Sequence, residues 1–392
     1  MTFNPQNYIT PVVRDLPPSG IRRFFDLVSE MDDVISLGVG EPDFVSPWHV
    51  REACVYSLEK GYTMYTSNYG LPELRYEITK YLEKRFGILY DGQKEIIVTV
   101  GASEAVDMAL RTICSPGDEV LIPEPCYVSY KPCVTLTGAK AVVVPTSDES
   151  EFKVTPEMLE PYITPNTKAI ILSYPNNPTG AVMTREELLA ISKVIIEHNL
   201  LVVSDEIYAE LTYDGTHTCI AALPEMKDRT ILINGMSKAF AMTGWRIGYV
   251  AAHEDFIQNM VKIHQYSMLC APIMGQKAAI EAFRSCDDEV SRMREEYDQR
   301  RRIVFKRMKE MGLKVFEPKG AFYIFPSIQG TGLSSEEFAG ELLKQEKVAV
   351  VPGSAFADCG EGFIRCSYAT SMKQLIEAMD RMERFVSKSA KS

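Results

Sequence analysis

The sequence has few of the features that mark specialised classes of protein. No apolar run approaches the roughly 18 residues needed to span a bilayer, and the 392 residues hold no internal repeat and no low-complexity tract. P-loop, G-x-G-x-x-G and G-x-S-x-G patterns are missing, so nothing favours a nucleotide-binding protein or a serine hydrolase. The five histidines show no metal-ligand spacing with each other or with cysteine, and no metal site is predicted.

Basic residues are outnumbered by acidic residues. The chain has 42 Lys and Arg residues against 53 Asp and Glu residues, which gives a net charge of -11. A field of this sign repels nucleic acid and anionic lipid. We therefore expect no nucleic-acid partner and no membrane partner, and small-molecule chemistry is favoured.

The nine cysteines include no C-x-x-C pair, and their number is odd. This usage is typical of free thiols in a reducing compartment. The first 15 residues lack the apolar stretch and the cleavage site of a secretory signal. The predicted location is the cytoplasm.

Short β-rich apolar runs recur through the middle of the chain, each closed by Gly, Pro, Asn or Ser. There are seven of them, at residues 95–100, 119–122, 141–144, 169–172, 201–203, 230–233 and 247–251. Helical patterns lie between several of them, at 103–113 and at 184–198, where Thr184 opens a capping box. This alternation predicts an α/β fold with a mostly parallel seven-stranded sheet, and ligands bind beyond the carboxyl ends of such strands.

The pattern changes beyond about residue 271. A long charged helix is predicted at 286–311, and three further apolar runs follow it at 322–325, 348–351 and 363–366. These features predict a smaller α+β domain. The expected division is an N-terminal arm and part of the small domain at 1–46, a large domain at 47–285 and a small C-terminal domain at 286–392.

Chemically distinct side chains follow three of the predicted strands: Asn177, then Asp205 with Tyr208, then Lys238. A lysine that is desolvated among other cations becomes a low-pKa amine able to form a Schiff base. An aspartate can keep a heteroaromatic nitrogen protonated, and the phenol and the amide can donate hydrogen bonds to a ring oxygen. Together these residues describe a site for pyridoxal phosphate, whose ring is an electron sink.

A phosphate site is predicted where the run 95–100 ends in Gly101, Ala102 and Ser103. The turn leads into a helix whose first free N–H groups and positive dipole end face an anion. Arg246 can add a charged fork to the same phosphate.

Eight motifs extend these observations over nearly the whole chain. In order they are SLGVGEPDF (36–44), YTSNYGLPELR (65–75), GASEA (101–105), PEPCYVSY (123–130), YPNNPTG (174–180), SDEIY (204–208), SKAFAMTGWRIGY (237–249) and IRCSYA (364–369). The sequence closely resembles the class I/II aminotransferases of pyridoxal phosphate fold type I, the group of aspartate and aromatic aminotransferases.

The resemblance implies a role for each matching residue. Lys238 corresponds to the lysine that bonds the cofactor, Asp205 to the partner of the pyridine nitrogen, and Tyr208 and Asn177 to the partners of the ring hydroxyl. Tyr127 occupies the position whose ring stacks on the cofactor.

Phosphate and substrate contacts follow by the same resemblance. Gly101, Ala102, Ser103, Ser237 and Arg246 match the phosphate site, and Tyr65 matches a tyrosine that reaches the partner subunit's phosphate, which implies a homodimer with shared sites. Residue 235 is Gly where many relatives have a phosphate-binding Ser, so more weight falls on Ser237. Arg365, the backbone of Gly40 and Asn177 match the substrate site, and cis bonds are expected at Asn177-Pro178 and Glu124-Pro125.

The resemblance implies a ping-pong transfer of an amino group from an L-amino acid (aspartate, glutamate, aromatic or similar) to a 2-oxo acid. A β-lyase or an aminocyclopropane-carboxylate-type synthase is the alternative, since these enzymes also begin with removal of the α-proton. An aminotransferase-like transcription regulator is disfavoured, because only about 35 residues precede the first motif. No second cation for a distal carboxylate can be assigned, so donor and acceptor stay open.

Overall fold

The fold is described from a computed structural model that covers residues 3–18 and 31–389. Residues 1–2 and 19–30, which belong to the predicted N-terminal arm, lie outside the described residues, as do residues 390–392. Within the described ranges, no helix combines the length and the apolar character needed to cross a membrane.

Strands are short and spread over the whole chain. In chain order they are β1 (Ile35–Ser36), β2 (Ile96–Thr99), β3 (Glu119–Glu124), β4 (Lys140–Pro145), β5 (Thr167–Leu172), β6 (Leu201–Asp205), β7 (Thr230–Gly235), β8 (Gly248–Ala251), β9 (Tyr323–Ile324), β10 (Val348–Ala349), β11 (Val351–Pro352) and β12 (Ile364–Ser367). Each of the seven predicted central runs overlaps one of the strands from β2 to β8.

The α-helices fill the intervals between these strands. Their bounds are Pro11–Arg14, Trp48–Glu59, Pro72–Phe86, Gly101–Ile113, Tyr130–Leu136, Pro156–Leu159, Arg185–Glu197, Glu254–Ser267, Ile273–Ser285, Asp287–Glu310, Ser335–Glu346 and Met372–Ser389. The predicted capping box is present, because Thr184 accepts a hydrogen bond from the N–H of Glu187 and the Glu187 side chain accepts one from the N–H of Thr184.

The central sheet has seven strands in the order β2-β8-β7-β6-β5-β3-β4. The strands from β3 to β7 pair in parallel, whereas β8 runs antiparallel to both of its neighbours. The predicted α/β fold with a mostly parallel sheet is confirmed. The reversal of β8 brings the start of that strand to the edge where its parallel neighbours end.

Successive residues of one strand pack on opposite faces of this sheet. Ile97 belongs to a buried cluster with the helix Gly101–Ile113, whereas Ile96 and Val98 belong to the cluster that contains the helix Pro72–Phe86. Because strand side chains alternate in direction, helices cover the sheet on both faces. The sheet positions the loops at its carboxyl edge, and functional residues are expected on those loops.

A smaller unit packs beside this sheet. The strands β11, β12 and β9 form an antiparallel sheet, and the long helix Asp287–Glu310 precedes them. The N-terminal strand β1 pairs in parallel with β10 in a separate two-stranded sheet. The division into domains at residues 46 and 285 stays a prediction.

Candidate active site

A cavity of about 410 Å³ lies where the loops after β2, β3, β5, β6 and β7 meet. All of the predicted site residues except Gly101 and Tyr65 line it: Gly40, Ala102, Ser103, Tyr127, Asn177, Asp205, Tyr208, Ser237, Lys238, Arg246 and Arg365. Residues from both units therefore share one cavity. In the part of the chain that the structure describes, no group of His, Cys, Asp and Glu side chains is arranged to hold a metal ion.

Lys238 follows β7 and places its amine inside the cavity. Its Nζ donates a hydrogen bond of 2.5 Å to the carbonyl oxygen of Gly40 and lies 5.6 Å from the centre of the Phe322 ring. Burial lowers the pKa of Lys238 to about 8, and the nearby guanidinium of Arg365 lowers it as well, although Glu41 opposes the shift. At pH 7 roughly a tenth of the amine is then neutral and nucleophilic, far more than for a lysine with the ordinary pKa.

Asp205 ends β6 and is buried at the bottom of the cavity. Its Oδ2 accepts a hydrogen bond of 2.7 Å from the Tyr130 hydroxyl, and its Oδ1 accepts one of 3.1 Å from the N–H of Ile207. Burial raises the pKa of Asp205 to about 6, and the two hydrogen bonds oppose this rise. The carboxylate is fixed in direction and is mostly ionised at neutral pH.

Aromatic side chains form the walls around these two groups. Tyr127 packs edge-on against Tyr130 with ring centres 5.6 Å apart. The Tyr208 hydroxyl lies 2.8 Å from the Tyr323 hydroxyl, and burial raises the pKa of both phenols. Neutral phenols can donate hydrogen bonds to an oxygen atom in the cavity.

The predicted phosphate site is the start of the helix Gly101–Ile113. Gly101 has a φ of 77°, and a Cβ at this position would lie 2.5 Å from Nη2 of Arg246. The guanidinium of Arg246 is held in place by a hydrogen bond of 3.0 Å from its Nη1 to the carbonyl oxygen of Thr243. The missing side chain thus lets a cation approach the first free N–H groups of the helix, an arrangement that binds anions.

Arg365 lies on β12 and reaches the cavity from the smaller unit. Its Nη1 donates a hydrogen bond of 2.9 Å to Oδ1 of Asn177, and its Nη2 donates one of 2.5 Å to the carbonyl oxygen of Gly38. The guanidinium stacks over the rings of Tyr323 and Phe356, and its Nε is buried with no hydrogen-bond partner among the described residues. A buried cation with a spare donor is suited to a carboxylate ligand.

Two predicted residues lie outside the cavity wall. Gly101 is buried behind Arg246, and Tyr65 is 81% exposed at the surface of the chain. Gly40 contributes its carbonyl oxygen to Lys238, and a side chain there would collide with the Tyr323 hydroxyl. The cis bonds expected at Asn177-Pro178 and Glu124-Pro125 are both present, and a third occurs at Tyr174-Pro175.

Sequence reasoning missed Tyr130 and Tyr323 as residues of the site. Tyr130 lies in the motif that supplied Tyr127, three residues further along, at the first turn of the helix Tyr130–Leu136. That spacing places both residues on one side of a turn, and this is the signal from which Tyr130 could have been found. Tyr323 lies on β9 within an apolar run, and nothing in that run distinguishes it from a core aromatic.

Known proteins resemble this chain over nearly its full length. The sequence model of the family described as aminotransferase class I and II matches residues 32–382. A protein of Bacillus subtilis (strain 168) named as the aminotransferase YugH is 54% identical, with 97% of this chain and 99% of that protein covered. An aspartate aminotransferase of Pyrococcus abyssi is 50% identical, with coverage of 94% and 95%. The crystal structure of an aromatic aminotransferase from Pyrococcus horikoshii superposes with a TM-score of 0.90 at 48% identity, covering 93% and 99%.

Proposed function

Because the chain belongs to the class I and II aminotransferases and is a transaminase, we propose that it uses pyridoxal phosphate to transfer the amino group of an aspartate-type or aromatic L-amino acid to a 2-oxo acid. One observation carries this proposal. A half-buried amine, a buried carboxylate and a buried guanidinium converge on a single cavity, from Lys238, Asp205 and Arg365.

The donor groups of the cavity fit this cofactor. Lys238 is the amine for its aldehyde, and Asp205 is the acceptor for its ring nitrogen. Tyr208 and Asn177 are the donors for its ring hydroxyl, and Tyr127 supplies the aromatic wall. Its phosphate suits the helix start at Ala102 and Ser103, with Ser237 and with Arg246 held above Gly101.

When bound, pyridoxal phosphate supplies an electron sink for the negative charge that develops at the substrate α-carbon. The protein keeps that sink active through Asp205, whose buried carboxylate holds a proton on the ring nitrogen by charge and by hydrogen bonding. The hydrogen bond from Tyr130 favours the ionised form of the carboxylate, against the effect of burial.

Arg365 orients the substrate, and Lys238 moves the proton. Arg365 binds the α-carboxylate of the substrate through its free donors, which turns the α C–H bond toward Lys238. The Lys238 amine, with its lowered pKa, would take the α-proton as a general base and pass it to the carbon that carried the cofactor's aldehyde. The reverse half-reaction would move the proton back to the α-carbon of the new amino acid. The half-reactions with the amino acid and the oxo acid follow in ping-pong order.

The proposal includes a homodimer with Tyr65 acting across the subunit boundary. Tyr65 lies beside the exposed Met64, and the same strip is tied by a hydrogen bond of 2.7 Å from Asn68 to Leu269 near the exposed Tyr266. These exposed apolar side chains support a contact with a second copy of the chain. We also propose a cytoplasmic location, which the nine free thiols support.

A donor panel tests the proposed reaction. Purified protein loaded with pyridoxal phosphate is assayed with aspartate, glutamate, phenylalanine, tyrosine and alanine against 2-oxoglutarate and pyruvate. We expect transfer from an aspartate-type or aromatic donor with parallel-line ping-pong kinetics and no release of ammonia. Ammonia and pyruvate released without a 2-oxo acid acceptor would indicate a lyase, and no turnover of any donor would overturn the proposal.

A further inference from the structure

A second cavity adjoins the candidate active site on its outer side. Its volume is about 1060 Å³, and it shares Tyr127, Ser129 and Cys133 with the inner cavity. Its other walls are the N-terminal segment at residues 15–18 and the small-domain loop at residues 354–359. A substrate held at Arg365 thus has room for a long side chain that passes the ring of Tyr127.

Glu124 lines this outer cavity at the end of β3. The residue is only 7% exposed, and its carboxylate has no hydrogen bond or ion pair within residues 3–18 and 31–389. The charges that act on it are Lys131 and Asp358, which line the same cavity. A carboxylate that is largely removed from water and has no partner among the described residues is disfavoured. A hydrogen-bond donor with positive charge is the ligand that compensates it.

The other charges of the outer cavity do not remove this preference. Asp15 is already paired, since its Oδ1 accepts a hydrogen bond of 3.0 Å from Nε of Arg14. Among the described residues of the lining, Glu124 and Asp358 then face one cationic residue, Lys131, whose side chain is exposed. The described part of the lining keeps a negative balance, which favours a cation over an anion.

We propose that the outer cavity is a subsite for the far end of the substrate, and that it takes a second, cationic amino group through Glu124. The inference rests on the proposed transaminase function and adds a substrate class to it: α-amino acids with an amine at the end of the side chain. The α-carboxylate lies on Arg365, the chain passes Tyr127, and the terminal ammonium donates to the Glu124 carboxylate. The reaction at the α-carbon is the same as in the proposed function, because the terminal amine is bound and is not transferred.

Matched donors test this subsite in the holoenzyme. Lysine and norleucine have the same carbon chain and differ in the terminal ammonium, and ornithine and norvaline form a second pair. We expect kcat/KM to favour the amine-bearing member of at least one pair. Glu124→Gln keeps the shape of the side chain and removes its charge, and we expect it to reduce that preference about tenfold or more, while turnover of norleucine and norvaline changes little.

Binding of unreactive probes gives a second measurement. The acids 4-aminobutanoate, 5-aminopentanoate and 6-aminohexanoate are compared with butanoate, pentanoate and hexanoate as inhibitors and by calorimetry. At least one of the three amino acids is expected to bind more tightly than the carboxylic acid of the same length. Glu124→Gln is expected to abolish that difference. The control is Glu119→Gln, at the other end of β3, where the carboxylate is paired with Lys140.

Two failures are separable in these data. Equal use of the matched donors by the wild type, or an equal loss for both donors in Glu124→Gln, overturns the subsite while norleucine turnover still supports the transaminase. No turnover of any donor overturns the proposed function itself. If Glu119→Gln loses as much preference for amine-bearing donors as Glu124→Gln does, the subsite is also overturned. The loss would then come from a disturbance of β3 and not from the Glu124 carboxylate.

Discussion

The Tyr130 hydroxyl donates a hydrogen bond of 2.7 Å to Oδ2 of Asp205, and both side chains are buried. Burial raises the pKa of this carboxylate, and the hydrogen bond lowers it. The two effects leave Asp205 with a pKa of about 6, low enough for the ionised form to dominate at neutral pH. Tyr130 is therefore a positioning residue, which acts through Asp205 and leaves the chemistry to others.

Replacing Tyr130 by Phe should raise the pKa of Asp205, because the charged form loses a donor worth about 1.5–3 kcal/mol. The acid limb of kcat/KM against pH should move to higher pH, with the largest loss of activity below pH 7. A pH profile from 5 to 9 measures the shift. Tyr249→Phe is the control, since the Tyr249 hydroxyl is buried without a partner in the described residues; an unshifted limb in Tyr130→Phe would contradict the role.

Capture of pyridoxal phosphate at Lys238 should depend on pH with a midpoint near its pKa of about 8. The neutral amine is the nucleophile, so the rate rises as pH increases through the pKa and levels off above it. Borohydride trapping followed by peptide mass spectrometry measures the rate. Lys238→Ala should lose both the trapped adduct and turnover, by about 10²–10⁴-fold or more. A midpoint near 10.5, the value of an ordinary lysine, would show that the amine is not desolvated.

Replacing Arg365 by Lys should weaken binding of every amino acid substrate. A guanidinium contacts a carboxylate through two parallel hydrogen bonds, and an ammonium offers a point charge. Loss of one charge-assisted hydrogen bond corresponds to a rise in KM of roughly 10–100-fold, with a smaller change in kcat. Steady-state kinetics with two unrelated donors measure this. An unchanged KM for both donors would remove Arg365 from the carboxylate site.

Gly101→Ala should weaken retention of the cofactor. The residue has a φ of 77°, and a Cβ there would lie 2.5 Å from Nη2 of Arg246, so the cation must leave the helix start. Gly117→Ala is a matched control, because Gly117 has a φ of 98° with nothing within 4 Å of its Cβ position. Both variants should lose about 1–2 kcal/mol of stability. Equilibrium dialysis of pyridoxal phosphate should show weaker binding for Gly101→Ala alone.

Much of the fold could be predicted from periodicity and from turn residues. The seven central strands form continuous apolar runs closed by turn formers, as expected for a sheet buried on both faces, and each overlaps an observed strand. The direction of β8 could not be predicted in this way. A short apolar run has the same pattern whichever way it runs, and its direction depends on the length and packing of the loop before it.

The candidate site was predictable where chemistry follows a strand, as it does at Asp205 and Lys238. Tyr323 could not be found in this way, because its role depends on a contact with Tyr208, 115 residues away in sequence. Glu124 was read as part of a motif and expected to precede a cis proline. Its importance emerges only from the cavity that its carboxylate faces and from the lack of a partner among the residues that the structure describes.

The antiparallel course of β8 has a consequence for how the cofactor would be held. Since β7 ends and β8 begins at the same edge of the sheet, one connection of residues 236–247 carries both Lys238 and Arg246. The lysine proposed to bond the cofactor and the arginine proposed to bind its phosphate thus lie near the two ends of one loop. Exchanging this loop as a whole between relatives would preserve the spacing of Lys238 and Arg246. Inserting one residue between them would change the distance between the two cofactor contacts.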